Sequence, residues 1–187
     1  MMVGWTILAL IAVLGIWIMV VYNRLVTLRN DVRNAWSQID VQLKRRYDLI
    51  PNLVAAVKGY MDHEKQVLEK VVAARSKALS AKKIRDKAAA EEDLSRELKG
   101  LFALIEGYPN LTSNQHVMRL QEELVSTENR IAFSRQLYND LVANFMTKQE
   151  VFPDLIIASF FSFKEVEYFS ASRKERPFPA AASVSRP

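Results

Sequence analysis

The chain of 187 residues has no cysteine, only five glycines and two histidines, and its first 23 positions hold no charged side chain. Each shortage excludes something. Without cysteine there is no disulfide framework, thiolate zinc site or cysteine nucleophile. Five scattered glycines cannot build a phosphate cradle, and no GxSxG, Walker or dinucleotide pattern occurs. Tyr60 stands three before His63 and Ser113 three before His116, so neither histidine has the Glu-x-x-His spacing of a bundle di-iron site. HEKQV at 63–67 is not HExxH, and Asp62, His63 and Glu64 read as solvated helix-end residues rather than an ion site. The expectation is therefore a protein with no catalytic, cofactor-binding or metal-ligating residues, no cofactor and no enzymatic activity.

What the opening does have is a long apolar run. From Val3 to Tyr22 the chain reads VGWTILALIAVLGIWIMVVY. About 20 residues at ~1.5 Å rise match the ~30 Å hydrocarbon layer of a bilayer. Residues 1–23 are thus expected to be a transmembrane anchor. Trp5 near one end and Trp17 and Tyr22 toward the other sit where amphipathic rings meet headgroups, and Arg24 is the first charge. A cleavable signal peptide would need a basic start, a shorter apolar stretch and a small-residue cleavage site, whereas this chain opens MMVGWT and leaves the run as VVYNR.

The basic flank sets the expected orientation. Arg24, Arg29, Arg33, Lys44, Arg45 and Arg46 follow the run against only Asp31 and Asp40, which by the positive-inside rule puts the body in the cytoplasm and the N-terminus outside. Residues 24–60 carry 7 basic and 3 acidic side chains, residues 61–172 carry 15 and 17, and the stretch from 173 carries 4 and 1. Basicity beside the membrane and in the tail suits an anionic leaflet. A nucleic-acid reader would spread it along a docking face, so nucleic acid is not an expected partner.

No glycine or proline interrupts Ile16 to Ile50, Tyr60 to Lys99 or Asn110 to Phe152, and such windows suit long helices. Leu25, Leu28, Val32, Trp36, Ile39, Leu43, Tyr47 and Ile50 recur at three- and four-residue steps, and Val54, Val57 and Met61 prolong the stripe. Pro51 interrupts it without a change of phase. The reading favoured is a reversal near Tyr47 to Ile50 with Pro51 in the first turn of the next helix; the alternative is a kinked rod reaching about Leu79. The second stripe is Leu68, Val71, Val72 and Leu79, with a turn between Ser80 and Asp86. A third, Leu94, Leu98, Leu101, Ile105 and Tyr108, ends at Gly107 and Pro109. Thr112 and Gln115 have capping-box spacing at the start of the fourth helix. Its seam of Val117, Leu120, Leu124, Thr127, Ile131, Ser134, Tyr138, Leu141 and Phe145 is coiled-coil-like, with Tyr138 needing a partner for its hydroxyl if buried. The predicted architecture is all-α: the anchor, a helical bundle domain over 24–172 with four antiparallel helices, and a disordered basic tail over 173–187.

Several runs carry a family resemblance. VRNAWSQIDVQLKRRYDLIPNLVAAVKGY, HE at 63–64, AR at 74–75, ENRIAFSRQLYND and VFPDLIIASFF together resemble the LemA family of bacterial membrane proteins, over roughly Tyr22 to Ala171. The resemblance implies a long antiparallel four-helix bundle behind one membrane span. It implies no activity, since the family is regarded as of unknown function with suggested roles in membrane organisation.

Two sets of side chains stand out on the body. Glu128, Arg135 and Asn139 align along one face of the fourth helix, and Arg46 and Asp48 are among the polar residues of the first that complement them. They are expected to form a charge-assisted network fixing helix register, with Arg46 and Glu128 as one pair; a solvated charged face is the alternative. The apolar stretch VFPDLIIASFFSF is expected to pack onto the bundle, or else to present Phe152, Phe160, Phe161 and Phe163 as a contact patch toward membrane or a neighbouring subunit. The expected function is a membrane-anchored scaffold that self-associates or organises partners, with an adaptor or regulator of a membrane enzyme, transporter or signalling protein as the alternative. Its expected partners are membrane lipid, further copies of the chain and a membrane protein.

Overall fold

Long windows without glycine or proline become long helices. In the computed structural model, which describes residues 2–61 and 63–170, every regular element is helical. The elements are α1 (Met2–Lys58), α2 (Lys65–Ser80), α3 (Ile84–Ile105), α4 (Pro109–Thr112), α5 (Gln115–Glu150) and α6 (Asp154–Phe160). The tail predicted over 173–187, and Asp62, lie outside the described residues. Among those described, α1 is the one helix long and apolar enough to cross a membrane.

The expected reversal before Pro51 is corrected: α1 runs through Pro51 and ends at Lys58, where Gly59 and Tyr60 make the turn. An interior proline loses one backbone hydrogen bond and crowds the preceding turn. Here its ring is on the exposed side, while Ile50, Leu53 and Val57 are fully buried in one continuous stripe.

By contacts the chain divides into two units, Met1–Leu49 with Glu122–Glu167 and Ile50–Gln121 with Tyr168–Pro187. In the first, α1 buries Leu25, Val32, Ile39, Leu43 and Tyr47, and α5 buries Leu124, Thr127, Ile131, Ser134, Tyr138 and Phe145. Trp36 meets Tyr138, and Arg46 meets Glu128, so advancing ten residues along α1 retreats ten along α5. After Tyr138 the buried position is Val142 rather than Leu141, the drift expected when a 3.6-residue helix carries a heptad-like seam.

In the second unit α2 packs on α3. The link between them, residues 81–83, falls inside the predicted turn, and Lys77 Nζ bridges to Asp93 Oδ2 at 2.7 Å across it. Leu68, Val71 and Ala78 are buried from α2, and Leu94, Leu98, Leu101 and Ile105 from α3. Val72 and Leu79, predicted in the stripe, are exposed instead, because the small Ala78 supplies the contact toward the end of α2. The start of α5 is a further correction. Asn114, not Thr112, caps it, its Oδ1 accepting from the backbone N–H of His116 at 2.9 Å and of Val117 at 3.3 Å. The Thr112 hydroxyl donates back to the Pro109 carbonyl within α4.

Candidate functional site

Of the predicted polar set, the structure brings Arg46 and Glu128 together, Nη1 to Oε2 at 3.0 Å. Arg46 comes from the buried side of α1, between Leu43 and Tyr47, and is only 2% exposed, whereas the Glu128 side chain is 41% exposed. The pair is thus rooted in the core and open to water at one end. Asp48 is exposed, while Arg135 and Asn139 are half-buried. One turn away, Arg45 and Glu123 form a looser pair at 3.5 Å, both about half exposed.

Toward the N-terminal end of α1 in the same unit, Tyr138 is buried with its ring edge-on to Trp36, centroids 5.4 Å apart. Its hydroxyl donates to the Glu167 backbone carbonyl at 2.7 Å, tying the segment after α6 to α5. Burial, and secondarily the Glu167 carboxylate, push the phenol up to about 12. Neutral Tyr138 is therefore the donor at physiological pH.

The aromatic segment divides. Ile157 and Ala158 of α6 are buried against Val21 and Leu25 of α1, and Trp17, Ile18, Tyr22 and Phe163 pack around them. Phe163 lies edge-on to Tyr22 and Phe145, with the Arg29 guanidinium 5.4 Å from its ring centroid. Phe152 and Phe160 are instead 76% and 79% exposed, and Phe161 is exposed too, stacked in tilted contact with Tyr22 at 4.6 Å. Of the anchor residues, Trp5 and Arg24 are exposed, whereas Trp17 and Tyr22 are half-buried under α6.

Sequence reasoning missed several polar residues that hold these elements. Lys148 of α5 pairs with Asp154 at the start of α6 at 3.3 Å. Lys77 holds the Asp93 carboxyl below the ordinary aspartate range, first by its hydrogen bond and then by its charge, aided by Arg96. Glu91 is buried on the α3 stripe, a position its three-residue spacing before Leu94 did signal. Among the described residues no three of His, Asp or Glu gather as metal ligands. The second unit holds a partly open cavity of about 600 Å3, lined by Val54, Met61, Leu68 and Val72 together with Lys58 and Lys65.

Residues 35–182 match the LemA family. Magnetosome protein MamQ of Magnetospirillum gryphiswaldense is 25% identical over 174 residues, 79% of this chain and 64% of that protein. Magnetosome protein MamQ 2 of Paramagnetospirillum magneticum has the same identity and coverage. Protein LemA of Metamycoplasma hominis is 28% identical over 157 residues, 82% of this chain and 71% of that protein. The chain therefore spans just under two thirds of the length of the MamQ proteins it matches. With the match covering the helical body, and an exposed apolar run leading α1 into it, this membrane-associated helical protein belongs to the LemA family.

Proposed function

We propose that the chain is a nonenzymatic scaffold anchored by residues 1–23, with its N-terminus outside and its body on the cytoplasmic side. Its long helices close an antiparallel four-helix bundle and associate laterally with further copies. One observation carries this reading: α1 passes without a break from exposed apolar residues into buried core positions. Residues 2–16 are all exposed, whereas Val21 and Leu25 are buried against α6. Removing the run as a leader would strip Ile157 and Ala158 of part of their cover, which supports its retention. Arg24, Arg29 and Arg33 support the orientation.

Self-association is supported by apolar side chains left in water on the body. Val41 of α1 and Val125, Phe133 and Leu137 of α5 are exposed, Phe133 by 71%. Tethering to one surface raises the effective concentration of like domains, so weak contacts through such side chains suffice for assembly. Light scattering on the full chain in mild detergent tests this. Oligomers are expected; a strictly monomeric protein at concentrations matching its density in the membrane overturns the proposal.

The apolar cavity of the second unit favours a second reading, an adaptor presenting that cleft to a membrane enzyme, transporter or signalling protein. Crosslinking in cells separates the two. Mostly self-crosslinks support the scaffold, whereas one abundant foreign partner with few self-crosslinks supports the adaptor.

A further inference from the structure

Packing on the body accounts for only one side of α6. Ile157 and Ala158 face Val21 and Leu25 in a buried cluster. Leu155, Ile156, Phe160 and Phe161 remain exposed. Four large apolar side chains within seven consecutive residues form a patch that water solvates poorly, at ~25 cal/mol for each Å2 left uncovered.

Position along α1 identifies what covers that patch. The residues of α1 that hold α6, from Trp17 to Leu25, straddle the end of the apolar run and its first charge, Arg24. If Val3 to Tyr22 fill the hydrocarbon layer, Trp17 to Tyr22 occupy its last ~8 Å at ~1.5 Å per residue. Interfacial helices bury their apolar faces ~5–10 Å into the boundary of headgroups and acyl chains. A helix docked on this stretch is already at that depth.

Local backbone chemistry holds α6 there. Ser162 adopts φ 52°, the left-handed conformation that ends helices. The Ser162 N–H donates to the Ser159 carbonyl at 3.1 Å and the Phe163 N–H to the Ala158 carbonyl at 3.0 Å, the paired bonds of a Schellman turn. That turn sends Phe163 back against Tyr22, where Phe161 also packs with part of its ring left exposed, while Phe160 stays on the outer side. Asp154, the one acidic residue of α6, is matched by Lys148. The first charges of α1, Arg24, Arg29, Asp31 and Arg33, are three basic to one acidic, beside Glu150 before α6 and Lys164 and Glu165 after the turn. This balance suits anionic headgroups.

We propose that α6 is a second membrane contact, an interfacial helix whose Leu155, Ile156, Phe160 and Phe161 enter the acyl boundary of an anionic bilayer beside the span. This rests on the reading that α1 crosses the bilayer. The cysteine-free chain allows one thiol at a time to be introduced and labelled with a nitrobenzoxadiazole fluorophore, as Leu10→Cys, Phe160→Cys and Ser113→Cys. All three positions are exposed, so no core contact is lost. The full chain is reconstituted in vesicles of phosphatidylcholine and phosphatidylglycerol in equal parts. The Leu10 label is expected to lose emission to nitroxides deep on the acyl chain, the Phe160 label to nitroxides near the headgroup, and the Ser113 label to aqueous iodide.

A Phe160 label quenched by iodide, beside a lipid-quenched Leu10 label, overturns the interfacial helix and leaves the span intact. An iodide-quenched Leu10 label overturns both. A Phe160 label shielded from either quencher, with shielding lost as protein is diluted in lipid, means that a second copy covers α6 and overturns the proposal as well.

Discussion

Arg46 and Glu128 should be energetically coupled well beyond an ordinary surface pair, and their neighbours Arg45 and Glu123 supply the control. Two unit charges ~4 Å apart attract by about 4 kcal/mol at an effective dielectric near 20, before desolvation and side-chain entropy are subtracted. Double-mutant cycles on exposed pairs give roughly 0.2–1 kcal/mol, while removing one partner of a fully buried pair costs roughly 3–5 kcal/mol. Arg46 is 2% exposed and Glu128 41%, so the pair stands between these limits. A coupling of about 1.5 kcal/mol is expected, roughly a tenfold change in the folded-to-unfolded ratio. Arg45 and Glu123, at 3.5 Å and half exposed, should couple by no more than about 0.5 kcal/mol. The cycle uses Arg46→Met, which keeps the apolar stem, and Glu128→Gln, with Arg45→Met and Glu123→Gln in parallel. Urea unfolding of the full chain in detergent, followed by helical circular dichroism, reads all seven proteins, the two cycles sharing the parent chain. Both pairs lie in one contact unit, so the same transition is compared. Equal couplings for the two pairs would refute the view that burial of Arg46 makes its ion pair a register-fixing contact.

Three further outcomes are expected. Tyr138 has its folded pKa raised to about 12 from an ordinary 10, so its share of stability is complete below pH 10 and lost as pH rises toward 12. The loss is roughly 3 kcal/mol over that window; Tyr138→Phe should flatten this alkaline limb in urea titrations, at a neutral-pH cost of about 1 kcal/mol for the bond to Glu167. Asp93 is depressed below its ordinary 3.8, so its contribution is present above that value and disappears as pH falls through the folded one; Lys77→Met should return its carboxyl titration, followed by carbon NMR, toward 3.8. Asn114→Ala should destabilise the start of α5 by about 1 kcal/mol, seen in amide hydrogen exchange, while Thr112→Ala should change it by less than about 0.5 kcal/mol.

Much of this fold was legible because its signals are periodic. The apolar run, the stripe from Leu25 to Val57, the stripe from Leu94 to Ile105 and the turn after Ser80 all follow from spacing alone. Arg46 lies in phase between Leu43 and Tyr47, so its burial, and its need for an acidic partner, were also readable. What spacing cannot convey is contact between distant segments. Nothing in the chain's order distinguishes Asp154 as the partner of Lys148, or the Glu167 carbonyl as the acceptor for Tyr138. The cap of α5 was missed for a different reason. Thr112 and Asn114 are both good capping residues, and the choice turned on α4, a single turn opened by Pro109 that consumes the Thr112 hydroxyl.

Pro51 is where two legible signals opposed each other, and their sizes explain the outcome. Proline in a helix interior costs about 3 kcal/mol and biases the preceding residue away from helix, which favours a boundary at Ile50. Against this, Ile50, Leu53 and Val57 are fully buried, and side chains of that size contribute roughly 1.5–3 kcal/mol each. Steps of three and four residues keep all three on one face only while the helix turns without interruption. A reversal would restart the phase at an arbitrary angle, and the stripe that continues to Val57 would then be a coincidence. The proline also stands on the exposed side, where a carbonyl deprived of its backbone donor can be met by water. Preserved phase therefore outweighs a local breaker when the breaker lies opposite the stripe, and α1 can carry the anchor and a bundle face as one element.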